Sequence, residues 1–325
     1  MYKRQINYGV RNLTGKGVKI GVWDAGKATK HIDFGHRLTQ VQGTSDHYHA
    51  CHVSGILVGR GLRNPKGIGM APDALLYSYD YGGTVTSEVQ YAITNYGLVI
   101  SSNSYGGSPT CTGDPYSATS RSQDLLVNTN PQLIFAFSSG NSQSSCSGGF
   151  NTLTGKTSKN TFTVGAVSDK DGSTNYSSYG PTKDMRIKPE IVSVGSSVMS
   201  TYLDNQYSLN TGTSMACPGV AGVSAQLIQA YRQANSNTNP KTSLIKAIMC
   251  NTARDLGNAG PDYKFGFGRI NALRAVKAIE DTRYVVDNVT TGATKDKTIT
   301  IPSGTTILKV MVCWNDPVSY THLRA

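Results

Sequence analysis

The chain has 325 residues, enough for one large α/β domain and part of another, with 38% hydrophobic and 16% charged residues. That balance excludes a disordered chain, and no run of about eighteen apolar residues is present to cross a membrane as a helix. The formal charge of +11, from 31 Lys and Arg against 20 Asp and Glu, is scattered without a block or stripe, which argues against nucleic acid as a partner.

The 35 glycines suggest many tight turns. Two terminal stretches stand apart. Residues 1–5 (MYKRQ) and 318–325 (VSYTHLRA) both read as translations of a transposon-end sequencing adapter, in opposite orientations. They are set aside from fold reasoning as non-native sequence. Without Lys3, Arg4 and Arg324 the balance is 28 basic to 20 acidic residues, or +8. The chain is then expected to be a fragment, so the lack of a leader segment says nothing about location.

In chain order, residues 17–24 (GVKIGVWD) form an apolar run closed by Asp-Ala-Gly, a buried strand ending in a turn. Residues 49–59 have helical spacing. A strand is expected over 74–80, a helix over 85–96 and a strand over 98–105. Residues 132–137 form another strand, running into Ser138-Ser139-Gly140-Asn141. Strands follow at 161–167 and, more weakly, 191–194, then helices over 213–234 and 242–255. Alternation over about 250 residues predicts a three-layer αβα architecture with a mostly parallel sheet. Residues 284–289, 297–301 and 306–314 are β-rich and predict the truncated start of an antiparallel β domain.

Ligands of such sheets bind outside the carboxyl ends of the strands. Four residues near these ends and at helix starts carry candidate chemistry. Ser214, in residues 210–222 (NTGTSMACPGVAG), stands where a Gly turn enters the long helix and free amides favour developing negative charge. An ordinary N-cap serine has the same look. His49 opens a helix and could act as a general base. His47, His49 and His52, near Asp46, could instead form a metal site, although no HExxH is present. Asp24 is either a turn residue or the group that orients an imidazole. Asn141 is either a turn residue or an amide donor to an oxyanion.

Together, in the order Asp24, His49, Asn141 and Ser214, these segments resemble the subtilisin-like serine proteases (subtilases, peptidase family S8) over roughly residues 14–276. The GTSMACPGVAG motif matches that family's serine segment in full, and KGIGMAP, SSYGP and IKPEI have similar counterparts. The resemblance implies a serine endopeptidase with a subtilisin-like sheet. Asp24, His49 and Ser214 would be its catalytic triad, with Asn141 in the oxyanion hole. Ser104, Tyr105 and Gly106 would line the substrate groove, and Ser139 and Gly140 the primary specificity pocket. No acidic residue occurs in these two segments, so a broad or apolar preference is expected over a demand for Lys or Arg.

The resemblance sets the peptidase domain at 6–281. Residues 282–317 look like the start of the C-terminal β-sandwich found in some secreted bacterial members. It implies protein or peptide substrates, a monomer, no nucleic-acid partner, no membrane span and a secreted or extracytoplasmic location. No cofactor is required for catalysis. A structural calcium is compatible with the family, but no acidic loop of clear ligand spacing occurs.

The family's His-Gly-Thr-His reads His49-Ala50-Cys51-His52 here, which loses a hydroxyl donor and suggests a thiol-sensitive Cys51. It also admits a rival, a catalytically impaired pseudoprotease acting as a binding protein. An α/β-hydrolase esterase is disfavoured, because no GxSxG elbow surrounds Ser214. Six cysteines allow fifteen full pairings. Cys111 and Cys146, in polar loops after the two groove segments, are the candidate disulfide. Cys217 and Cys250 are expected as buried thiols.

Overall fold

The structure, a computed structural model, describes residues 11–43 and 45–317; the adapter-like residues 1–5 and 318–325 lie outside them. Nine strands occur among the described residues. They are β1 (Lys19–Asp24), β2 (Leu38–Gln40), β3 (Leu75–Asp80), β4 (Ile100–Asn103), β5 (Ile134–Ser138), β6 (Phe162–Val167), β7 (Ile191–Val194), β8 (Val198–Thr201) and β9 (Tyr207–Asn210). Six α-helices accompany them: α1 (Tyr48–Val58), α2 (Val85–Tyr96), α3 (Ala118–Thr129), α4 (Thr213–Ala234), α5 (Thr242–Thr252) and α6 (Ala272–Glu280). The first seven strands form one parallel sheet in the order β2-β3-β1-β4-β5-β6-β7, and β8 and β9 pair as an antiparallel hairpin.

Strand alternation sends side chains to two separate cores. From β1 and β5, Ile20, Val22, Ile134 and Ala136 face the core built with α1, α4, α5 and α6. Their neighbours Trp23, Phe135 and Phe137 face the other side, with Val89 of α2 and Leu126 and Val127 of α3. Trp23 lies flat on Tyr79, with ring centroids 4.3 Å apart. Gly21 makes room for this: a Cβ there would stand 2.3 Å from the Trp23 ring. Helix α4 is buried along residues 213–230, which explains its nearly unbroken run of small and apolar residues.

A buried ionic cluster joins β7 to its surroundings. Glu190 Oε2 accepts from the Thr163 amide at 2.7 Å, and Oε1 accepts from Lys246 at 2.9 Å and from Lys188. Lys246 also donates to the carbonyls of Lys159 and Thr161, each at 2.9 Å. The network brings together β6, β7 and α5.

Four elements were not expected from sequence. β2 has only three residues, and α3 (ATSRSQDLLVNT) is too polar to show a strong apolar stripe. The β8–β9 hairpin pairs short strands of mixed polarity. Helix α6 did carry a signal, since Ala272, Ala275, Val276 and Ile279 have helical spacing and Asn271 caps the Arg274 amide at 3.0 Å. Residues 282–317 contain neither helix nor paired strand, so the expected segments at 284–289, 297–301 and 306–314 form no ladder. Apolar alternation does not make a strand without neighbouring backbone to take its hydrogen bonds. This stretch leaves Val285, Ile299, Ile307, Val312 and Trp314 exposed. It is anchored near its end by Asp316, whose carboxylate meets Lys159 at 2.9 Å and whose amide donates to Asn160 Oδ1 at 2.7 Å.

Glu190→Ala would strand two buried ammonium groups, and breaking such a network typically costs about 3–5 kcal/mol. We expect a loss of that order in equilibrium denaturation. A change below about 1 kcal/mol would mean that water reaches the cluster.

Candidate active site

Asp24 is the last residue of β1 and is buried. Its Oδ1 accepts from the Ala25 amide at 2.8 Å and from His49 Nδ1 at 2.6 Å. His49 lies in the first turn of α1, where the preceding His47 caps the helix by accepting the His49 amide at 3.2 Å. A carboxylate can only accept, so the proton of a neutral His49 ring sits on Nδ1 and leaves the lone pair on Nε2. Burial pulls the His49 pKa down, but the hydrogen bond and charge of Asp24 outweigh it, and the net shift is upward from 6.5.

The hairpin holds α1 from behind. Ser200 Oγ donates to the His52 carbonyl at 2.7 Å, and Thr201 Oγ1 donates to the Cys51 carbonyl at 2.8 Å. Cys51 faces this contact and is fully buried, and burial pushes its thiol pKa up to about 12. Burial shields Cys51 and disfavours its thiolate, which argues against the expected thiol sensitivity. His52 Nε2 pairs with the Ser208 carbonyl at 3.0 Å. The three neighbouring imidazoles thus serve three different partners. Among the described residues, no three His, Cys, Asp or Glu side chains gather as a metal-binding group.

Ser214 is the second residue of α4 and is 8% exposed. Its Oγ donates to the Ser104 carbonyl at 3.2 Å, and Ser104 Oγ donates back to the Ser214 carbonyl at 3.0 Å. That carbonyl is available because Pro218, four residues on, has no N–H to bond it. No hydrogen bond links His49 to Ser214 in this arrangement.

Asn141 follows β5. Its Oδ1 accepts from both the amide and the hydroxyl of Thr213, at 2.9 and 3.0 Å. A backbone amide can only donate, so this identifies which terminal atom of Asn141 is the oxygen and leaves its NH₂ as a donor. The Thr213 hydroxyl also accepts the Gly140 amide at 3.2 Å. Thr213 thereby ties the Ser139–Asn141 turn to the start of α4, a role not read from sequence, where it was only a neighbour of Ser214. Thr154 is a second residue missed. It contacts Ser139 through a 3.3 Å hydrogen bond to its carbonyl, and would clash with a Cβ at either Gly106 or Gly140. The Ser104-Tyr105-Gly106 and Ser139-Gly140 segments are thus bridged from below by one threonine. Cys111 and Cys146 are joined as a disulfide, whereas Cys217 and Cys250 are buried thiols.

A buried carboxylate bonded to a histidine, a serine at a helix start and a side-chain amide are residue types that serine hydrolases acting on acyl compounds use. Comparison with known proteins narrows the class. The profile of the subtilase family, Peptidase_S8, matches residues 15–268. Subtilisin DY from Bacillus licheniformis is 30% identical over 284 residues, covering 81% of this chain and 92% of that protein. M-protease from Shouchella clausii is 33% identical, and the match covers 82% of this chain and 66% of that protein. Among solved structures, the prenylagaramide maturation protease PagA superposes with a TM-score of 0.67 at 20% identity, covering 82% of this chain and 95% of that one. That likeness bears on the fold alone. The chain belongs to the subtilase family, and it is a serine endopeptidase acting on protein or peptide substrates. Catalysis in this family needs no cofactor.

Titration of the His49 ring by NMR should give a pKa above 6.5 in the wild type. Asp24→Asn removes the charge that raises it, so the value should fall below that of the wild type. An unchanged value would show that Asp24 does not govern the ring.

Proposed function

We propose that the chain hydrolyses peptide bonds through an acyl-enzyme on Ser214. The reading rests chiefly on the 2.6 Å bond between His49 Nδ1 and Asp24, which presents a basic Nε2. Ser214 Oγ swings from the Ser104 carbonyl to His49, gives up its proton and attacks the scissile carbonyl. The oxyanion is received by the Asn141 amide and the Ser214 backbone N–H at the positive end of α4. His49 then protonates the leaving amine, and water repeats the sequence to release the acid. Asp24 holds the tautomer and stabilises the imidazolium.

Substrate lies as an extended strand along Ser104, Tyr105 and Gly106, bonded through main-chain groups. Its side chain on the acyl side of the cleaved bond enters between that segment and Ser139-Gly140. Residues 6–281 act as the peptidase unit, and residues 282–317 open a second, β-rich domain. The protein works as a monomer outside the cytoplasm, a location that the Cys111–Cys146 disulfide favours. No helix among the described residues is long and apolar enough to cross a membrane. The pseudoprotease alternative gains no support from Ala50 and Cys51, since both are buried in α1 away from solvent.

Fluorophosphonate labelling with mass mapping tests the reading. Ser214 should be labelled in the wild type and not in His49→Ala. A folded wild type that resists labelling would favour the binding-protein alternative. Ser214→Ala should lower kcat by about a millionfold. Asn141→Ala should lower it only about 100- to 1,000-fold, and equal residual rates in folded variants would count against these roles.

A further inference from the structure

Lys156 is a cation without an ionic partner beneath the proposed substrate groove. It is 8% exposed. Its Nζ lies 4.8 Å from the centre of the Tyr105 ring and 4.9 Å from that of Phe137. Among the described residues it makes neither a hydrogen bond nor an ion pair through that nitrogen. By contrast, Lys188 and Lys246 share the carboxylate of Glu190, and the buried Arg37 guanidinium donates to three backbone carbonyls. The carboxylate that acts electrostatically on Lys156 is that of Asp114, which is engaged by the Thr110 hydroxyl and the Gly155 amide. Aromatic faces attract a cation, but each contributes only about 0.5–2 kcal/mol, less than a buried charge loses on leaving water.

The surroundings place this ammonium in the site. Tyr105 belongs to the groove segment. Phe137 lies in β5, the strand that leads to Ser139-Gly140. Cys217, one helical turn beyond Ser214, is among the groups that act electrostatically on it. Thr154, two residues before Lys156, bridges Gly106 and Gly140 from below. The segment carrying Lys156 therefore packs against both walls assigned to the substrate side chain, through Thr154 at Gly106 and Gly140 and through Lys156 at Tyr105. Burial pushes the Lys156 pKa down to about 8, as expected for a desolvated cation lacking a carboxylate.

We infer that Lys156 is a specificity-determining residue that favours substrates with an acidic side chain, glutamate above all, at the position donating the scissile carbonyl. The incoming carboxylate forms the ion pair that the free protein lacks. Glutamate reaches the ammonium better than aspartate because it has one more methylene. The glutamine analogue has the same shape without the charge, and loses the attraction. This inference rests on the proposed catalytic reading of Ser214 and narrows the broad preference expected from the two walls alone.

The test compares paired chromogenic peptides that differ only in glutamate or glutamine before the cleaved bond. Concentrations are normalised by fluorophosphonate titration of Ser214. The wild type should favour glutamate in kcat/KM by roughly 10- to 100-fold, the range of one charged hydrogen bond. Lys156→Met should bring the ratio to about one or below, and Lys156→Arg should retain a preference for glutamate. A labelled wild type with no preference for glutamate overturns the inference and leaves the protease reading intact. So does an equal ratio in wild type and Lys156→Met. A wild type that neither labels nor cleaves overturns both. If Lys156→Met does not fold, the wild-type ratio and the Lys156→Arg ratio still decide the matter.

Discussion

Pro218 has no amide proton, and the geometry around Ser214 follows from that single lack. In an unbroken helix the Ser214 carbonyl would be bonded four residues on. Here it is left for Ser104 Oγ, and the Ser214 hydroxyl answers by bonding the Ser104 carbonyl. The start of the central helix is thereby fastened to the end of a central strand. The same two serines belong to the proposed nucleophile and to the proposed substrate groove. A break in helical bonding, which elsewhere costs stability, becomes the link between them.

The rest of the site is fastened in the same manner, by side chains closing gaps in the backbone. Thr213 bonds Asn141 and Gly140, so the turn after β5 cannot drift from the helix start. His47 caps α1 and the β8–β9 hairpin grips its back, which sets His49 against Asp24. None of these supports is an ion pair exposed to solvent, so salt should loosen them little. Rigid support matters because the proposed chemistry depends on donors and acceptors already in place before charge develops.

Charge is handled differently in two places. At Glu190 two lysines and a carboxylate neutralise one another, and the cluster ties α5 to the sheet. At Lys156 the cation meets only aromatic faces. The first arrangement is closed upon itself. The second has no carboxylate bonded to it.

Much of this was legible in the order of residues. The αβ alternation, the buried length of α4 and the candidacy of Asp24, His49, Asn141 and Ser214 all rest on local pattern: apolar period, turn residues and a long, specific serine motif. Strand ends follow from the same signals, although residues 98–105 shorten to Ile100–Asn103 in the sheet. Elements without an apolar stripe, such as α3 and the hairpin, were silent because their stability comes from contacts rather than periodicity. The expected segments after residue 281 show the alternation of strands, but within 282–317 no neighbouring strand is present to bond them. Likewise, Thr213, Thr154 and Lys156 look like ordinary polar residues in sequence. Their roles depend on which distant backbone or ring each one meets, and only the folded chain brings those partners within a few ångströms.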